Sequence, residues 1–143
     1  DELDMPLNHI KPHGSLYVMA SKDEEMCRAI ADAVTPFNVS IFGMANTAHE
    51  KIYKEERKLD FVSEFYADLD YDKNGKLVIA KGKQSMYDSK LAVKRALRAV
   101  SEKKVKTTIG TDIDVGCDTI CVHSDTPNAV EIITKLKNAL SKK

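Results

Sequence analysis

Short apolar runs alternate with helically periodic stretches along nearly all of this 143-residue chain, and that alternation constrains the fold more than anything else in it. Residues 7–13, 37–43 and 59–66 read as strands, and 105–122 holds further strand material broken by Gly110 and Gly116. Between them lie helical patterns. The capping-box form Ser21-Lys22-Asp23-Glu24 precedes Met26, Ile30, Ala33 and Val34 at helical spacing, with Pro36 as the stop. Thr47-Ala48-His49-Glu50 opens a second helix through about Arg57. Val93, Ala96, Leu97 and Val100 mark a third over 88–100. Thr126 caps a fourth with Pro127 in its first turn and a buried stripe of Ala129, Ile132, Ile133, Leu136 and Leu140. Asn74-Gly75 marks a turn, with 77–79 as a short extra strand.

The expectation is an α/β fold with a mostly parallel sheet, residues 1–143 forming one domain. Four or so β–α units fall short of a closed barrel, which takes ~250 residues, so the sheet is either open or part of a barrel.

Three polar strings sit at the ends of the strand-like runs: Lys11-Pro12-His13-Gly14, Glu64-Phe65-Tyr66-Ala67-Asp68 and Cys121-Val122-His123-Ser124-Asp125-Thr126-Pro127. The carboxyl ends of strands are where α/β folds place their sites. Alternation along a strand puts Lys11 with His13, Glu64 with Tyr66, and Cys121 with His123 and Asp125. Histidines and carboxylates on one rim divide the work of general base and acid, and a lysine there offsets negative charge. A carboxylate such as Glu64 inside an apolar strand is costly unless partnered. Asp68 and Asp70 read as members of a polar turn that water can solvate, and Asp125 as support for the positive end of the following helix. The helix opening at Thr126 offers backbone N–H groups for an anion. His9 and His49 read as surface or packing residues.

Lys and Arg total 22, as do Asp and Glu, so the neutral chain lacks the basic footprint of a nucleic-acid binder. No apolar run approaches the ~18 residues of a membrane span. The chain opens on Asp1-Glu2-Leu3-Asp4 without an initiator Met or a secretory signal, and is read as a piece of something longer. Its three cysteines read as reduced thiols in a cytoplasmic protein, and Cys117-x3-Cys121 has no second pair for zinc. The lysine pairs at 103–104 and 142–143 read as a solvated loop and a frayed end.

Taken in order, Lys11-Pro12-His13-Gly14-Ser15-Leu16-Tyr17, Glu64 to Asp68 and Cys121 to Val130 resemble the motifs of the LamB/YcsF family, described as the A subunit of 5-oxoprolinase. The similarity runs from about Asn8 to Leu140 and is read as the carboxyl-terminal half of the family domain. The resemblance implies a partial (β/α) barrel related to glycoside hydrolase and polysaccharide deacetylase barrels. It implies ATP-dependent hydrolytic opening of a lactam, 5-oxoproline, to glutamate, together with further 5-oxoprolinase subunits. His13, Glu64, Asp68, His123 and Asp125 match the family's polar motif residues and are the candidate catalytic set. Lys11, Tyr66 and Thr126 are the candidate substrate-binding residues. In the roles inferred here, ATP phosphorylates the amide oxygen, a carboxylate or His13 activates water, and His123 protonates the departing nitrogen.

The sequence departs from the family pattern at Leu69, where many members carry arginine, and over Ile79, Ala80 and Lys81, where another arginine is usual. Ser124 replaces a usual glycine. Two alternatives accompany the reading. One is a metal-dependent hydrolase of the deacetylase-barrel type, with His13, His123 and a carboxylate as ligands. The other is a non-catalytic subunit that pairs with partners or with itself through exposed sheet edges.

Overall fold

The computed structural model describes residues 5–79 and 87–141. Ala80 and Lys81, the lysine pair at 142–143 and the opening tetrapeptide 1–4 lie outside them. The chain divides into two compact units, Asp1–Ser63 and Glu64–Lys143.

The first unit carries strands β1 (His9–Ile10) and β2 (Ser40–Gly43) and the start of β3 (Phe61–Tyr66), with helices α1 (Gly14–Ala20) and α2 (Glu24–Val34). Both of its ladders are parallel, β2 pairing with β1 and β3 so that Ile41 faces Phe61 and Gly43 faces Ser63. On α2, Cys27, Ala31 and Val34 recur at i, i+4 and i+7 and face inward against Ile41, Ile52 and Tyr53. The cap differs from the expected one. Asp23 rather than Ser21 caps α2, its carboxylate accepting the Met26 N–H at 3.0 Å, while the Ser21 hydroxyl turns back to the Val18 carbonyl. A carboxylate at the positive end of a helix does better than a hydroxyl.

Two elements of this unit depart from the sequence pattern. Residues 14–20 form α1 in place of the expected loop, the turn into it made by Gly14 at φ +59°. The helix expected from Thr47 is largely π-helical over Glu50–Glu56, closed by the Arg57 N–H on the Ile52 carbonyl at 2.8 Å. That winding turns both Ile52 and Tyr53 inward.

In the second unit the latter half of β3 pairs in parallel with β8 (Thr119–Cys121), Tyr66 opposite Cys121. Two antiparallel hairpins interrupt the alternation: β4 (Asp70–Tyr71) with β5 (Leu77–Val78), and β6 (Lys104–Lys106) with β7 (Asp112–Asp114). The first turns at Asn74-Gly75 as expected, with the Asp72 carboxylate accepting the Asn74 and Lys76 N–H groups. Helices α3 (Ser89–Glu102) and α4 (Ala129–Leu140) pack on each other. The buried face of α3 is Ala92, Arg95, Ala96 and Ala99, so of the four expected apolar positions only Ala96 is fully inside. Alanines admit the close approach of α4, and the larger Val93, Leu97 and Val100 lie at its flanks. On α4, Ala129, Ile132 and Leu136 are buried, but Ile133 is half exposed and Leu140 lies at the margin.

The α/β class and the parallel main ladders are as expected. Among the described residues no helix is long and apolar enough to cross a membrane.

Candidate active site

Parallel pairing decides which side chains meet in the second unit. Tyr66 lies opposite Cys121, and the Ala67 N–H continues the ladder to the Cys121 carbonyl at 3.1 Å. Two residues further along each strand, Asp68 and His123 therefore leave the sheet at the same end. The Asp68 carboxylate is wholly buried, whereas the His123 side chain is 34% exposed. Asp68 receives the His123 ring at Nδ1 (3.1 Å to Oδ1), the His123 backbone N–H (2.7 Å to Oδ2) and the Thr126 hydroxyl (2.8 Å to Oδ2). Burial alone would push this carboxyl upward, but the hydrogen bonds from His123 and Thr126 outweigh it and hold Asp68 below the ordinary carboxylate range. The ionised carboxylate fixes Nδ1 as the protonated nitrogen, so proton transfer falls to Nε2, on the half-exposed ring.

Glu64 and Tyr66 share a face, as alternation requires, and the Tyr66 hydroxyl donates to Glu64 Oε2 at 2.8 Å. The Tyr66 ring stacks on the His123 imidazole with centroids 5.6 Å apart and planes 19° from parallel. Glu64 is thereby partnered inside the strand, which answers the cost expected of it. The Tyr66 N–H in turn donates to the Tyr71 hydroxyl at 2.9 Å.

Several expectations need correction. Asp68 is not a solvated turn residue; it is the buried hub. Thr126 does not cap the last helix, because its hydroxyl is engaged by Asp68 and its N–H by the His123 carbonyl. Asn128 stands at the N-cap of α4 instead, and Thr126 offers no N–H for an anion. Strand β8 ends at Cys121 and the chain turns through 124–126, so Asp125 does not continue the face of Cys121 and His123; it is exposed, outside the cluster. Asp70 is half exposed and paired with Arg95 at 2.8 Å.

Of the candidate residues, Glu64, Tyr66, Asp68, His123 and Thr126 form this connected group. Lys11 and His13 belong to the first unit, where His13 is exposed at the entry to α1 and the Lys11 ammonium lies 5.8 Å from the centre of the Tyr17 ring. His9 stacks on Phe42, and His49 is fully buried, so both pack as expected.

Sequence reasoning missed Arg95. Its Nη2 donates to the carbonyl of Leu69, so a guanidinium from α3 reaches the residue that follows the Glu64–Asp68 string. The signal was available: Ala92, Arg95, Ala96 and Ala99 share one helical face, three of them small.

The Arg95 guanidinium is bound to Leu69 and Asp70 and so is not available to clamp nucleotide phosphates. Among the described residues, no three His, Cys, Asp or Glu side chains converge as metal ligands.

Comparison with known proteins supplies the family and the fold. The LamB/YcsF family model matches residues 1–143, which overturns the reading of the chain as the carboxyl-terminal half of the family domain. The chain is 37% identical over 142 residues to the 5-oxoprolinase A subunit of Campylobacter jejuni subsp. doylei, covering 97% of the chain and 55% of that protein. It is 39% identical over 137 residues to the 5-oxoprolinase A subunit of Oceanobacillus iheyensis, covering 94% and 53%. The chain thus spans about half the length of the curated relatives it matches. A crystal structure of a lactam utilization protein from Thermus thermophilus superposes with a TM-score of 0.84 at 33% identity, over 99% of this chain and 57% of that one.

Proposed function

This chain belongs to the LamB/YcsF family, and from that premise we propose that it serves the hydrolytic opening of a lactam, 5-oxoproline to glutamate, as part of the A subunit of a 5-oxoprolinase. The observation that carries the reading is the buried, ionised Asp68 holding the half-exposed imidazole of His123 at the shared end of β3 and β8. An imidazole so held has one nitrogen fixed and one able to move a proton. Opening a cyclic amide needs that capacity twice. A proton must leave the attacking water, and a proton must reach the ring nitrogen as its bond to carbon breaks.

In the proposed division of labour, His123 Nε2 carries the proton to the lactam nitrogen, and Asp68 stabilises the imidazolium that precedes the transfer. Tyr66 stacks beneath the ring and, with Glu64, keeps it from rotating. ATP supplies the activation of an otherwise unreactive amide, and its binding belongs to the assembled enzyme with its other subunits rather than to this cluster. Lys11 and His13, in the first unit, and the exposed Asp125 are assigned no role in this cluster.

The test is substitution in the complete enzyme. Replacing a general acid–base group lowers turnover by roughly 10²–10⁴-fold, so His123→Asn is expected to lose glutamate formation on that scale while the protein stays folded. Turnover equal to that of the parent enzyme removes His123, and with it the mechanism.

A further inference from the structure

The Arg95 side chain lies on the inner face of α3, only 7% of the residue exposed, with alanines on either side of it. Its guanidinium donates from Nη2 to the Leu69 carbonyl at 2.7 Å and from Nη1 to Asp70 Oδ1 at 2.8 Å, and it also meets the Tyr87 hydroxyl. The rings of Tyr71 and Tyr87 stand 5.9 and 5.7 Å from its central carbon. One planar group therefore grips the two residues that directly follow Asp68, and touches the tyrosine whose hydroxyl receives the Tyr66 N–H.

As a contribution to stability this is a poor arrangement. A buried guanidinium gives up its hydration, its Nε–H meets no partner among the described residues, and its ion-pair partner Asp70 is half in water. An apolar side chain would fill the same space without those costs. The geometry instead serves direction. Residues 67–69 form the bend out of β3 and Asp70 opens β4, so a hold on Leu69 and Asp70 fixes the chain immediately after Asp68.

We propose that Arg95 is a positioning residue, clamping the Leu69 carbonyl and the Asp70 carboxylate so that Asp68 presents its carboxylate to His123 and Thr126. The proposal rests on the lactam-opening reading only for what the orientation is for; the orientation itself belongs to the chain. Lysine would keep the charge but not the fork of donors.

The His123 backbone N–H, which donates to Asp68 Oδ2, reports that orientation directly. Its hydrogen exchange is measured in the whole 143-residue chain for the parent, Arg95→Lys and Arg95→Met. The Ile132 and Lys103 amides, bonded within or at the ends of α4 and α3, serve as references. Arg95→Met retains the apolar stem and is the variant expected to fold without loss of stability. In both variants the His123 amide is expected to exchange about tenfold faster, with the references changed by less than about twofold. Parent-like protection of His123 in either variant overturns the clamp, and so does acceleration of all three amides together, which would make Arg95 a support of α3 packing alone. Selective loss of His123 protection here, joined with undiminished turnover in His123→Asn, would leave the clamp standing and remove its catalytic purpose.

Discussion

Asp68 and His49 are both wholly buried ionisable side chains, yet they tie stability to pH in different windows. The folded-state value of Asp68 is depressed, so its contribution is present above the unfolded carboxylate range of about 4 and is lost as pH falls through the folded value. Asp68→Asn is expected to remove that loss below about pH 4, checked by unfolding free energy against pH. Burial pushes the His49 imidazole down from 6.5 to about 4. The unfolded chain then binds the extra proton between those values, so stability is full above pH 6.5 and declines as pH falls toward 4. Across that window the loss amounts to about 3 kcal/mol. In His49→Gln the slope between pH 6.5 and 4 should flatten while the loss from Asp68 below it persists, a separation that denaturant titrations at several pH values would reveal. The sequence allows His49 to pack but does not show how deeply, and it conceals the burial of Asp68. Asp68 sits among polar neighbours that suggest a turn, and nothing in Thr47-Ala48-His49-Glu50 shows that His49, just ahead of the π-helical stretch, is fully enclosed.

Elements are easiest to read where one residue decides them alone. Asn74-Gly75 settles its turn, and the alternation in Glu64-Phe65-Tyr66 is enough to place the carboxylate and the hydroxyl on one face. Caps are harder, because serine, threonine and aspartate all qualify and only tertiary contacts choose among them: Thr126 is claimed by Asp68, and Asp23 outcompetes Ser21. The α3 face misleads because larger apolar residues suggest a core stripe, when close helix packing needs the alanines inside. Close approach also rules Gly43, at the end of β2. A Cβ there would stand 2.7 Å from the Phe61 ring and 2.8 Å from the His49 Cβ, and the latter is tied to backbone and cannot swing away. Overpacking of this kind costs about 1–3 kcal/mol. Gly43→Ala should therefore lower the free energy of chemical unfolding by that amount without changing the transition's slope.

At the scale of the whole molecule, what the cluster lacks matters as much as what it holds. It has a proton-transfer pair, but its neighbouring guanidinium is bound inward to Leu69 and Asp70 rather than turned toward an anion. The family's relatives are named as one subunit of a larger enzyme and are nearly twice as long as this chain. If nucleotide is handled elsewhere in the assembly, two activities should come apart. The chain alone is expected to hydrolyse ATP no faster than buffer does, with or without 5-oxoproline. Placed in a full-length A subunit and combined with the remaining 5-oxoprolinase subunits, it should release glutamate and phosphate together. In that assembly His123→Asn should lower glutamate release by roughly 10²–10⁴-fold while the subunits still co-elute, because the side chain is about a third exposed and the variant keeps the backbone N–H that donates to Asp68. Measurable ATP hydrolysis by the isolated chain would mean that phosphates bind among these residues after all. The proton-transfer pair would then have to be reconsidered as part of a nucleotide site.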